Sequence, residues 1–172
     1  MTESYSSSTK SVLETVANLG LPYEVIEIDT DLADTALFCE NYGFPIEQSG
    51  NTIIVASKKE PKLFAACVVL ATTKLDVNKC VRNLMGVSKA SFASAEEMKL
   101  LTGMELGGVT PFSLPNEIKL YVDSRIMELN WLILGGGGRE KKIKISPEVF
   151  YKLGAEIINN LALPQTPLGL PK

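Results

Sequence analysis

The chain contains no histidine among its 172 residues. That absence removes the only side chain whose unperturbed pKa lies near neutrality, and with it the usual ligand of catalytic zinc. Ser-His-Asp and Cys-His nucleophile systems are excluded for the same reason. Any hydrolysis must rest on carboxylates, lysines, hydroxyls, backbone amides or groups of the substrate itself. Cysteine is sparse: Cys39, Cys67 and Cys80 are odd in number, lack CxxC spacing and sit in apolar segments. They read as reduced core residues of a cytoplasmic protein. Basic charge is not in excess, with 17 Lys+Arg against 20 Asp+Glu, a net charge of -3 and a pI near 5.1. No wholesale cationic surface for duplex DNA is expected. The sequence has no basic-then-apolar leader and no apolar run near the roughly 20 residues of a membrane span, so a soluble, unsecreted protein with no membrane partner is expected.

What remains is a composition that is 45% hydrophobic and 22% charged, suited to one globular domain over 1–172. Its core is expected over about 9–163, with a loose tail at 164–172. Val12, Leu13, Val16, Ala17 and Leu19 recur at helical spacing after Ser11, and Gly20 supplies a left-handed stop. Ser11 and Glu14 have capping-box spacing. A β-rich run from Tyr23 to Ile28 follows, and Asp29-Thr30 opens a second helical stretch toward Tyr42-Gly43. Runs 52–56 and 63–70, separated by a polar turn ending in Pro61, read as a hairpin whose second strand is apolar enough to be buried on both faces. Asp76 is placed to cap a helix that Gly86 ends, and Ser94 with Glu97 forms a capping box for a helix ending at Thr102-Gly103. Residues 104–116 are too rich in glycine and proline for a regular helix. Three more β-rich runs, 118–122, 131–134 and 142–145, precede a final helix opened by Ser146-Pro147-Glu148 and carrying Val149, Phe150, Leu153, Ile157, Ile158 and Leu161. The order lacks regular βα alternation, so the expected class is mixed α+β: a mixed, largely antiparallel sheet or partial barrel surrounded by helices.

Two glycine segments are candidates for chemistry. Gly107-Gly108-Val109-Thr110-Pro111-Phe112 can turn sharply and expose N-H groups before Pro111 stiffens the exit. Gly135-Gly136-Gly137-Gly138 lies between β-rich runs and is followed by Arg139, Lys141 and Lys142. Four glycines in a row suggest a close backbone approach to something else, and amides beside cations suit a phosphate, a carboxylate or a developing oxyanion. A bulge or hairpin turn is the alternative for each. Neither segment matches GxxxxGK[ST] or a GxGxxG helix start, and the sequence calls for no cofactor and no metal.

The stretch Lys89-Ala90-Ser91-Phe92-Ala93-Ser94 through Leu101-Thr102-Gly103, then Gly107 to Phe112, then Tyr121-Val122-Asp123, then the glycine turn and Ile143-Lys144-Ile145-Ser146-Pro147 resembles the YbaK/prolyl-tRNA synthetase editing-domain family, from about Thr35 to the last helix. The resemblance implies trans-editing: hydrolysis of the ester joining a wrong amino acid to tRNA, in proline, cysteine or similar small amino acid systems. Its implied partners are the acceptor end of aminoacyl-tRNA and an aminoacyl-tRNA synthetase. Active members carry a lysine in a VVKTL-like segment, and the matching segment here, residues 49–53, places Asn51 at that position. Asparagine carries no positive charge, though its amide can still donate a hydrogen bond. A binding module of the same fold that has lost hydrolysis is therefore the second reading. On the resemblance, amides of Gly107, Gly108, Gly136 and Gly137 would hold the oxyanion, with water positioned by Thr110 or Asn51 and by the substrate's ribose hydroxyl. Gly135 and Gly138 would help hold the ester, while Val109, Pro111 and Phe112 would shape the side-chain pocket, core packing being the alternative. Asp123 would bind the α-amine or cap a turn. Lys79, Arg82, Lys89, Arg139, Lys141 and Lys142 would form a tRNA track, a solvated charged face being the alternative for each.

Overall fold

A computed structural model describes residues 7–164. The expected loose tail lies almost wholly outside these residues. Helix α1 (Ser7–Asn18) is followed by strand β1 (Tyr23–Glu27), a short 3-10 turn, helix α2 (Thr35–Tyr42) and strands β2 (Gly50–Ser57), β3 (Phe64–Leu70) and β4 (Thr73–Leu75). Helix α3 (Arg82–Met85), strand β5 (Ala90–Phe92), helix α4 (Ala95–Thr102) and strands β6 (Lys119–Asp123), β7 (Leu132–Gly136) and β8 (Gly138–Ile145) come next. Helix α5 (Val149–Lys152) and strands β9 (Glu156–Ile158) and β10 (Ala162–Pro164) complete the described residues. No helix of the described residues is long and apolar enough to cross a membrane.

A five-stranded sheet, β5-β2-β3-β6-β9, is the centre of the fold, with β3–β6 and β6–β9 parallel and the other pairs antiparallel. The β2–β3 hairpin forms as its sequence requires, and β3 is buried on both faces. Val68 of β3 packs with Val12, Val16, Phe112 and Ile143, while Cys67 and Val69 pack with Val81 and Leu161 on the opposite side. This two-residue alternation explains why FAACVVL is continuously apolar. A three-stranded sheet, β1-β8-β7, joins the larger sheet where Ser49 bridges to Ile133, and β10 pairs with β4. The mixed α+β class with helices around a largely antiparallel sheet system is what the structure has.

Local signals set many boundaries. Ser94 and Glu97 form the reciprocal capping box of α4, Asp34 caps α2, and Gly43, Gly86 and Gly103 end their helices in the left-handed region. Asp76 caps a wide π turn at Val77–Val81, which continues into α3. Three expectations are corrected. Asp29 caps only the 3-10 turn Thr30–Leu32, and α2 begins at Thr35 behind its own cap, Asp34. Helix α1 starts at Ser7, so Ser11 lies inside it and its carbonyl accepts from Thr15 and Ser113 hydroxyls. The long final helix is replaced by the single turn of α5. Gly154 stops it at φ +71°, and the β-branched Ile157-Ile158 run adds parallel to the free edge of β6. In so short a run, apolar spacing alone fits either element, and the available sheet edge decides.

Candidate functional site

The end of β2 shapes a cavity of about 480 Å³. Strand β2 pairs with β3 along its length but with β5 only at Val55, Ala56 and Ser57. Between β5 and the Ser49–Ile133 bridge, the second edge of residues 51–53 has no strand partner among the described residues. Ile54 O accepts from Ala93 N at 2.9 Å on that edge. Main-chain groups two residues apart in a strand point the same way, so Thr52 turns its N-H and C=O toward the opening as well. Residues 49–54 line the cavity with Thr35, Phe38 and Ile46 on one side and Gly107, Val109, Gly135 and Lys142 on another. Phe92, Ala93 and Met98 also line it; Met98 is buried and Phe92 is exposed. The volume falls in the range of small-molecule sites.

Asn51 lies in this cavity. Thr35 donates from Oγ1 to Asn51 Oδ1 at 2.7 Å, which fixes the amide so that Nδ2 is its remaining donor. The Thr52 hydroxyl is buried without a hydrogen-bond partner. Cys39 and Ser49, both buried, contact each other at 3.3 Å beneath these groups.

Lys142 faces the same space from β8. Strand alternation puts Ile143 and Ile145 into the core and turns Lys142 and Lys144 to the other face, as the sequence predicts. That face is not a solvated track, because α2 covers it. Phe38 lies 5.7 Å from Lys142 Nζ, and only 5% of Lys142 is exposed. Its Nζ donates to Gly107 O at 2.9 Å. Burial pulls its pKa down from 10.5 to about 8, with Arg139 adding to the fall and Cys39 and Asp34 opposing it. The sign follows directly: the unfolded chain holds this proton more tightly, so below pH 8 the folded protein carries a cost of about 3 kcal/mol.

The glycine segments have another role. A Cβ on Gly108 would lie 2.2 Å from Gly138 O, and one on Gly135 would lie 2.5 Å from Val109 O. The close backbone approach implied by the four glycines is therefore between the two segments themselves. Their amides are spent accordingly: Gly137 N donates to Gly108 O, Gly108 N to Glu105 O, and Gly138 N to the Thr9 hydroxyl. Gly107 and Gly135 line the cavity; Gly108, Gly136, Gly137 and Gly138 do not.

The other expected residues divide clearly. Val109 lines the cavity and also packs against the core. Phe112, fully buried, belongs to the central core, Pro111 is buried away from the cavity, and Thr110 is buried with an unpartnered hydroxyl outside it. Asp123, 1% exposed, accepts from Arg125 N, Arg125 Nη1 and Ala162 N, so it is a structural carboxylate at the end of β6. Of the expected tRNA track, Lys141 is 3% exposed and paired with Glu27, and Arg139 reaches the carbonyls of Thr30 and Leu106. Lys79 and Lys89 are exposed, with Arg82 partly covered between them. Thr35, Phe38 and Thr52 carry no site signal in the sequence, because each is an ordinary residue of its element until the fold brings it to the opening; Phe92, part of the family-like segment, joins them there. Among the described residues no group of three metal-ligating side chains comes together.

A family model described as aminoacyl-tRNA editing domain matches residues 29–153, most of the chain and all of the cavity wall. The chain belongs to this family. The editing domain is 26% identical over 141 residues to the uncharacterized protein YwhH of Bacillus subtilis, covering 82% of this chain and 87% of that one. It is also 26% identical to a hypothetical protein of known crystal structure, covering 87% and 97% of the two chains at a TM-score of 0.77. A solved candidate trans-editing enzyme for prolyl tRNA synthetase shares the fold at 21% identity and a TM-score of 0.77, covering 95% of this editing domain and 100% of its own chain.

Proposed function

We propose that the chain acts as one free-standing editing domain, cytoplasmic, which hydrolyses the ester between a small mismatched amino acid and tRNA. Ala-tRNA(Pro), Cys-tRNA(Pro) and Ser-tRNA species are its candidate substrates, and an aminoacyl-tRNA synthetase is its candidate partner. The observation that carries this reading is the open edge of β2 inside the family-matched cavity. Thr52 offers a main-chain N-H and C=O there, Asn51 offers Nδ2, and Phe38, Ile46, Ile133 and Leu134 provide an apolar wall. An acyl group can add to such an edge through main-chain hydrogen bonds while its side chain meets the apolar wall. The exposed Phe92 ring is placed to stack the terminal adenine, because it borders both this cavity and a second groove lined by Lys74 and Asn78. Exposed Lys79 and Lys89 remain as phosphate contacts.

Water attacks the acyl carbon, the ester bond to the ribose oxygen breaks, and that oxygen leaves with a proton from the water. The activated ester needs no histidine.

A non-hydrolysable, amide-linked alanyl-adenosine tests this placement. Its addition is expected to shift the NMR signals of the Thr52 amide, the Asn51 side chain and the Phe92 ring. Asn51→Ala is expected to weaken its binding about tenfold, the value of one lost hydrogen bond. Signals that stay in place at millimolar analogue would contradict the site. The second reading, a module that binds without hydrolysis, is favoured by Asn51 standing where active members carry lysine.

A further inference from the structure

Deepening the deacylase reading, on which this inference rests, is a lysine that reaches the cavity from a different strand. Asn51 leaves β2 without a cation, yet Lys142 of β8 lines the same cavity as Asn51, Gly107 and Gly135. Its neighbours on the strand behave differently. Lys141 pairs with Glu27, and Lys144 pairs with Glu24 while lying over Trp131. No carboxylate pairs with Lys142 among the described residues. Its only described hydrogen-bond acceptor is Gly107 O, so an ammonium with three donors retains donors for another oxygen. Buried charges are normally paired, and one left unpaired at the wall of a cavity marks a place for an anionic or carbonyl oxygen.

We propose that Lys142 supplies the positive charge of the editing site, its ammonium holding the ester carbonyl oxygen and the oxyanion that forms when water attacks. As the water oxygen bonds to the acyl carbon, the carbonyl π pair moves onto the oxygen facing Nζ. The pair returns as the bond to the ribose oxygen breaks, and the ribose oxygen takes the proton that the water releases. Lys142 keeps its own protons throughout. The charge arrives from β8 instead of β2, which accounts for a cavity that tolerates asparagine at position 51.

The groups facing Lys142 are Asp34 and Cys39 from the α2 side and Arg139 from its own strand. Its cross-strand neighbours, Ile26 of β1 and Gly135 of β7, are neutral, as is the Gly107 carbonyl. With a pKa near 8, the amine is charged at neutral pH and loses that charge as pH rises through 8. An ammonium-dependent rate therefore falls above pH 8 once the hydroxide-driven background is subtracted.

The test is single-turnover deacylation by the full chain and its Lys142→Met and Lys142→Arg variants, using the mischarged tRNA that the wild type cleaves fastest. Lys142→Met is expected to lower the single-turnover rate constant at least about a hundredfold, the scale of losing one oxyanion donor, with tRNA binding nearly retained. Lys142→Arg is expected to keep part of the rate and to lose the fall above pH 8, since arginine does not titrate there. Thermal melting reports whether each variant folds, and if the methionine variant does not, the pH profile of the arginine variant decides. A folded Lys142→Met with wild-type rate, or an arginine variant with the wild-type fall above pH 8, overturns the proposal and leaves the deacylase reading standing. A wild type that cleaves no mischarged tRNA overturns both.

Discussion

Gly108→Ala is expected to lower the unfolding free energy by about 3 kcal/mol or more, measured by denaturant titration, and to leave little folded protein at 37 °C. The added methyl would sit 2.2 Å from Gly138 O and 2.7 Å from Gly137 O, both main-chain atoms that cannot rotate away. Relief would require parting the two glycine segments, which would break the hydrogen bond from Gly137 N to Gly108 O and move the Gly107 carbonyl that holds Lys142. Gly103→Ala is the control. Gly103 sits at φ +72° with nothing within 4 Å of the added carbon, so only the left-handed conformation is penalised, by about 1 kcal/mol. Equal losses from the two variants would contradict the claim that the glycines serve close packing of main chain on main chain.

Asp123→Ala is expected to cost about 3 kcal/mol while leaving the deacylation rate per folded molecule unchanged. The carboxylate is buried and receives Ala162 N at 2.9 Å and Arg125 N at 2.9 Å, with the Arg125 guanidinium at 3.2 Å. Removing it orphans a fully buried amide on β10, while the Arg125 guanidinium, one-third exposed, keeps its hydrogen bonds to Ala162 O and Asn160 Oδ1. Asp123→Asn keeps one acceptor oxygen and is expected to lose less. A selective loss of activity at unchanged stability would instead place Asp123 against the substrate α-amine.

The hairpin, the capping box of α4 and the glycine stops are legible in the sequence, because each is written in residues close along the chain, whereas the start of α2 behind Asp34 is not. The family-like pattern singles out Asn51, and the structure brings it to the cavity wall. Lys142 illustrates the limit. Alternation along β8 predicted which face it takes, but only the packing of α2, about a hundred residues earlier in the chain, turns that face from solvated to buried. The same holds for the glycine segments, whose mutual contact is a tertiary fact that a local pattern reads equally well as a ligand site. Glu156–Ile158 became a strand because β6 had an edge to offer.

The most direct measurement is the release of labelled amino acid from a panel of charged tRNAs, including Ala-tRNA(Pro), Cys-tRNA(Pro) and Ser-tRNA species beside correctly charged Pro-tRNA(Pro). The purified chain is expected to release the amino acid from at least one mischarged species far faster than spontaneous hydrolysis, and to spare the correct one. Binding of every species with release from none would contradict the deacylase account and leave a binding module in its place.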